Sequence, residues 1–338
     1  MSRGQITGSE DVLKASQSDP SCLMIVMWHQ RQERAVDVPQ LVERIRTGQV
    51  HPVDAPTEED YYRAWVQGGV SDADPFTTAV VGGAMADRLA WVFLAGYQAT
   101  ITRCFPELAV MPGWRSFVNT EDRRGILSGT SLLNEDGARR LYGWKTWVAA
   151  SAHVDELMVS AKQNEPPFIV VPRAQAGVHI DDGTPKAYLT EMVQGTVRFD
   201  GVEVADSQIV GDETTFSVFR ASEGAYVRVA LTAFILSHAI RLGGDATLVG
   251  GAISGLLGAS AILRLPVPSA IASLAVAGAD SHTTWLASEF EAFIQERDEE
   301  LSRRWLRDNR LVHGASAGIA ARADAALDTW RQTAARPT

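Results

Sequence analysis

Residues 141–157 read LYGWKTWVAASAHVDEL. Two tryptophans, Trp144 and Trp147, bracket Lys145, and a run of small residues follows before Val154-Asp155-Glu156-Leu157. In a strand successive side chains alternate between faces, so Trp144 packs behind while Lys145 shares the face of Trp147, or its edge, as a solvated charge. Trp147 then either fills a core or offers a flat surface on which a ring can lie.

The flanking sequence places this stretch in a β region. From 114 to 210 short apolar runs alternate with turn signals at NEDG (134–137), DDGTP (181–185) and Asp200-Gly201. Val197 and Phe199, then Val202 and Val204, keep the period of a half-buried hairpin turning at Asp200-Gly201. A compact antiparallel β domain is expected here.

On both sides the pattern is helical. Asp74 caps and Pro75 starts an apolar segment expected to run as one helix to Arg103, and PTEEDYYRAW and VDVPQLVERIRTG precede it as shorter amphipathic helices. After Phe216, FRASEGAYVRVALTAFILSHAIRLG reads as a long helix stopped by Gly243-Gly244. HTTWLASEFEAFIQERDEELSRRWLRDNR reads as one amphipathic helix and GASAGIAARADAALDTWRQ as an alanine-rich one. The expected fold class is α+β, with a helical segment at 1–112, a β domain at 113–214 and a helical bundle at 215–338.

The chain has 338 residues, 46% of them hydrophobic, and a net charge of -10. That composition is globular and acidic, which argues against a nucleic-acid binder. Residues 246–263 are uncharged, but they are rich in Gly and Ser and are followed by Pro266, so a buried bundle helix is expected rather than a membrane span. Cys22 and Cys104 form no disulfide framework, and the apolar run at 22–27 lacks a basic leader, so a cytoplasmic protein is expected. His153, His238, His282 and His313 have no metal-binding or triad spacing, and no metal is expected.

The runs LYGWKTWVAASAHVDELMVSAK, VPRAQAGVHI and VRFDGVEVADSQIVG resemble the middle domain of the acyl-CoA dehydrogenase family. SFVNTEDRRG is similar to that family's aromatic-x-x-Thr-Glu-x-x-x-Gly segment, through Thr120, Glu121 and Gly125. The likeness covers about residues 60–338 and implies an FAD isoalloxazine between the β domain and the C-terminal helices. It implies Phe117, Asn119 and Thr120 beside the rings, Trp147 against the flavin, and backbone contacts from Val148 and Ala149. It also implies an acyl-CoA or acyl-carrier-protein substrate and a homodimer or homotetramer.

The chain departs from that pattern at named places. Ala149 stands where the family has a hydroxyl residue near flavin N5, and Gly125-Ile126-Leu127 replaces Gly-Ser-Asp. Neither the Arg-x-x-x-Phe-Gly nor the Gln-x-x-Gly-Gly segment that holds the adenine half of FAD is present, nor the late Tyr-Glu-Gly-like segment carrying the usual base. A minority of members carry the base early in the first C-terminal helix, where Glu223 lies. Phe219, Glu223, Tyr226, Val227, Ala230 and Phe234 share one helix face, which makes Glu223 the candidate base; the alternative is an acid at the start of a helix capped by Ser222. Three readings follow: an acyl thioester dehydrogenase, a flavin monooxygenase on the same fold, or a flavin-free subunit that supports an active partner. Arg303, Arg304, Arg307 and Arg310 read either as a phosphate-facing cluster or as a salt-bridged helix face, with Glu299 to Arg303 and Glu300 to Arg304 as its pairs.

Overall fold

A computed structural model describes residues 36–70, 73–105, 113–161, 168–211, 213–265, 269–314 and 316–334; the apolar run at 22–27 and Pro266 lie outside them. Among the described residues four helices come first: α1 (Val38–Arg46), α2 (Glu58–Gln67), α3 (Pro75–Met85) and α4 (Leu89–Cys104). Each of the first three begins on a side-chain cap, Asp37, Thr57 and Asp74, that accepts from an otherwise unpaired backbone N–H. The single helix expected from Asp74 to Arg103 is two. Ala86-Asp87-Arg88 breaks it because the Arg88 guanidinium and Asp87 carboxylate pair in the buried turn, where Arg88 reaches Glu191 and Asp87 receives Arg304.

Eight strands follow among the described residues: β1 (Trp114–Val118), β2 (Ser131–Glu135), β3 (Ala138–Ala149), β4 (Val154–Ser160), β5 (Phe168–Pro172), β6 (Val178–Asp181), β7 (Gln194–Val204) and β8 (Ile209–Gly211). They form two sheets, ordered β1-β4-β5-β8 and β2-β3-β7-β6, whose pairings are antiparallel apart from the parallel β1–β4 pair. Leu141, Val148, Val159, Ile169, Val197 and Phe199 are among the residues packed between them. NEDG makes the β2–β3 turn, with Asp136 and Gly137 both at positive φ as a tight hairpin requires. Asp200-Gly201 makes no hairpin: β7 runs through it, and Gly201, at φ +68, forms a bulge opposite the Leu141–Tyr142 step of β3.

The C-terminal helices are α5 (Glu213–Arg241), α6 (Ala246–Ile262), α7 (Ala270–Gln295), α8 (Glu299–Asp308), α9 (Arg310–His313) and α10 (Ser316–Ala334). The amphipathic segment expected as one helix is split into α7 and α8, because the Asp298 side chain caps a new start at Leu301 N. Only Leu248, Ala252 and Leu256 of α6 are buried, so this helix lies on the bundle surface rather than inside it. Among the described residues no helix is long and apolar enough to cross a membrane.

α5 packs against both α3 and α4. The approach is close because the facing positions are glycines: a Cβ on Gly83 would lie 2.1 Å from the Ala230 carbonyl, and one on Gly96 2.4 Å from Val227 Cα. α4 also closes the open edge of β1. The Gln98 amide donates to the Arg115 carbonyl at 2.7 Å and accepts from its N–H at 2.9 Å, while the Tyr97 hydroxyl pairs with the N–H and carbonyl of Phe117. Side chains thus satisfy backbone groups that a sheet edge leaves unpaired.

Candidate functional site

Trp147 stands on a β-bulge. Lys145 pairs with Val197 and Val148 with Gly195, so Thr146 and Trp147 together oppose one residue of β7. A bulge re-aims side chains, and this one breaks the alternation that the sequence suggests. Lys145 turns inward and is 1% exposed, Val148 joins the core between the sheets, and Trp147 is half-buried against the helical core. Lys145 is therefore not a solvated charge on the face of Trp147. Trp144 lies on the outer side, where the Arg198 guanidinium sits 5.9 Å from its ring.

The surroundings of Trp147 come from α4 and the start of β7, with α5 behind α4. Phe93 and Tyr97, one helical turn apart on α4, meet its ring edge-on at centroid distances of 6.3 and 5.8 Å. Its indole N–H donates to Gln194 Oε1 at 3.3 Å. Tyr97 meets Phe219 of α5 at 5.9 Å, and Phe219 stacks on Phe117 at 4.1 Å with planes 13° apart. Phe93, Tyr97 and Gln194 carry no motif; the i,i+4 spacing of the two α4 aromatics was the one signal that could have marked them.

Glu223 sits one turn beyond Phe219 on the same helix face. It is in mid-helix, since α5 begins at Glu213, so the alternative of an acid at a helix start capped by Ser222 does not apply. Burial raises its carboxyl from 4.5 to about 7. Among the described residues no donor reaches it. Burial raises the Tyr97 hydroxyl well above its usual range, and the negative charge of Glu223 adds to that effect. A carboxyl of this kind can accept a proton near neutral pH.

The other candidates separate into two groups. Asn119 is half-buried, and its side chain accepts from the Ser160 hydroxyl; Thr120 is exposed, and its carbonyl accepts from Thr146 N at 2.8 Å. Phe117 lies under Phe219, and Val148 and Ala149 are fully buried. The Ala149 N–H donates to Ser116 Oγ at 2.9 Å, so a hydroxyl does lie beside this residue, contributed by β1. The structure brings Trp147, Tyr97 and Phe219 into one aromatic cluster, with Glu223 one helical turn beyond Phe219 and Thr120 hydrogen-bonded to β3 at Thr146.

The residues around Trp147 fit a flat aromatic ligand. A half-buried indole provides the platform, and the 119–121 segment is tied to the strand beside it, where the Thr120 carbonyl accepts from Thr146 N. The fit fails at Phe117, whose face is covered by Phe219, so a ring system must rest on the Trp147 side.

The arginine cluster is accounted for within the chain. Arg303 and Arg304 both pair with Glu300, Arg304 also with Asp87, and Arg307 with Glu191 and Asp308. Arg310 lies 3.8 Å from the Tyr188 ring centroid. These contacts join α8 and α9 to the α3–α4 turn and the loop before β7, which leaves the salt-bridged reading.

No protein-family model matches the chain, and no curated protein matches its sequence. Solved structures do match in shape. A FAD-dependent dehydrogenase is 14% identical with a TM-score of 0.57, over 86% of this chain and 99% of the other. The prolyl acyl carrier protein oxidase AnaB is 14% identical with a TM-score of 0.55, over 84% and 97%. FMN-bound TdsC from Paenibacillus sp. A11-2 is 15% identical with a TM-score of 0.59, over 90% and 99%. At these identities the likeness is one of fold. The chain has the acyl-CoA dehydrogenase-like fold, helical at both ends with the β domain between.

Proposed function

We propose that the protein is a flavin-dependent oxidoreductase that dehydrogenates an acyl thioester carried on CoA or an acyl carrier protein. The observation that carries this reading is Glu223, a buried carboxyl raised to about 7 and one helical turn from Phe219, whose ring meets Tyr97, the neighbour of Trp147. Glu223 takes the substrate α-proton, because its raised pKa lets it hold that proton at neutral pH. Trp147 supports the ring system, and Phe93 and Tyr97 exclude water from its inner edge. Asn119 and Thr120 lie toward its polar rim. A bound flavin, FAD or FMN, supplies the two-electron acceptor for the β-hydride. The carrier-protein substrate of AnaB and the flavin named for the dehydrogenase and TdsC support this choice.

A second reading has its own observation. The Phe117–Phe219 stack closes part of the slot, and Ala149 has no hydroxyl, as befits a flavin-free subunit that steadies a partner. In either reading a second copy packs on the outer face of α6 and α7, where α6 carries no charged residue and Leu257, Ile271 and Trp285 are exposed. The visible spectrum of the purified protein decides between them. A yellow protein bleached anaerobically by an acyl thioester supports the first reading; a colourless one that takes up neither FAD nor FMN supports the second. A flavin protein that no acyl thioester bleaches but that, supplied with reduced flavin, inserts one oxygen atom of O2 into an aromatic substrate and releases the other as water would make it a monooxygenase.

A further inference from the structure

Lys145 is buried by the bulge at Thr146–Trp147, and its ammonium is held by groups from three parts of the β domain. Its Nζ lies 3.2 Å from Glu121 Oε1, 3.1 Å from Ser160 Oγ at the end of β4, and 3.4 Å from the Asn119 carbonyl at the end of β1. Glu121 in turn closes its own loop. Its Oε1 accepts from Thr130 N at 3.3 Å, and Oε2 rests on Gly129, where a Cβ would come within 2.5 Å. The far side of the loop is pressed onto β3 at Gly143, at φ +108, where a Cβ would lie 2.3 Å from the Gly129 carbonyl. Between these points the Asp122 carboxylate accepts from the N–H groups of Arg124, Ile126 and Leu127.

The loop from 119 to 130 is thus a closed ring lying on β3, and the ion pair is its clasp. We propose that Lys145 is a positioning residue, which through Glu121 sets where Asn119 and Thr120 stand relative to Trp147. The proposal rests on the reading of this cluster as a flavin site. A buried ion pair adds little net stability over an apolar pair of similar volume, but it dictates which polar groups meet. Stability and positioning can therefore be separated by replacing both partners at once.

The test is the double variant Lys145→Met/Glu121→Gln, in which no buried charge is left unpaired and the amide that replaces the carboxylate still accepts from Thr130 N. Its melting temperature should stay within about 5 °C of the wild type. Its affinity for added FAD or FMN should fall at least about tenfold, with a shifted flavin absorption band, and amide exchange at 119–130 should quicken about tenfold without change elsewhere. Unchanged affinity, spectrum and exchange would overturn the proposal. If the double variant does not fold, Lys145→Met alone, which leaves the more exposed Glu121 carboxylate still accepting from Thr130 N, carries the same three readouts. A wild type that takes up no flavin sinks the reading of function, while the exchange result still decides whether Lys145 holds the segment.

Discussion

Phe219 lies flat against Phe117, ring centroids 4.1 Å apart and planes 13° apart, so that the first C-terminal helix touches the β domain where a flavin-bearing slot would open. Both rings are buried. Phe219→Ala should lower stability by about 3–5 kcal/mol, the usual loss for a core phenylalanine. The same change opens the slot and should strengthen flavin binding. Urea denaturation gives the first quantity and flavin titration the second; weaker binding by a folded variant would show that Phe219 supports the ring system instead of competing with it.

The carboxyl of Glu223 makes stability depend on pH. Its folded pKa of about 7 lies above its ordinary 4.5, so the folded state binds the extra proton between those values. Its contribution is fully present below 4.5 and is lost as pH rises to about 7. Replacing it by Gln removes that dependence: Glu223→Gln should match the wild type near pH 4 and exceed it by up to about 3 kcal/mol at pH 8. Denaturation at the two pH values checks the sign. The same variant should abolish anaerobic bleaching by acyl thioesters, and the wild-type bleaching rate should rise through pH 7 as the base loses its proton.

Gly96 lets α4 and α5 approach until backbone meets backbone. A methyl there would lie 2.4 Å from Val227 Cα and 2.5 Å from Val227 N, atoms that cannot turn aside. Gly96→Ala should cost at least about 3 kcal/mol, the upper range for overpacking, even though alanine favours a helix. A loss under about 1 kcal/mol by calorimetry would mean that α5 shifts freely on α4.

What the sequence reveals is what local chemistry decides. Asp74-Pro75 starts a helix and Asp136-Gly137 makes a hairpin, because caps and tight turns depend on a few adjacent residues. Its failures are long-range. The break at Asp87-Arg88 carries no Gly or Pro; it exists because Glu191 and Arg304 wait for those charges. Asp200-Gly201 has the composition of a turn, and only β3 beside it makes it a bulge. Lys145 reads as a surface charge until Glu121, far back in the chain, is seen against it. The candidate site was less legible: Glu223 shows in helix periodicity, but Trp147 is singled out by the resemblance of its segment and stands on a bulge that breaks strand alternation, while Phe93, Tyr97 and Gln194 join Trp147 only through the packing of separate elements.

Glu58 ties the helical segment to the strand end behind Trp147. It opens α2, is 3% exposed, and accepts from Val193 N at 2.7 Å, His153 N at 2.9 Å and His153 Nδ1 at 3.2 Å. Burial raises its pKa despite these donors. Val193 precedes Gln194, whose side chain holds the Trp147 indole, so the carboxylate of Glu58 lies one residue from the platform's own support. Glu58→Ala strands those donors and should cost about 3 kcal/mol, whereas Glu58→Gln, which keeps one acceptor, should cost roughly half as much. The loss should carry into the site: both variants should bind flavin more weakly in the same order. A Glu58→Ala protein that is destabilised as expected yet binds flavin like the wild type would break the link from Glu58 through Gln194 to Trp147.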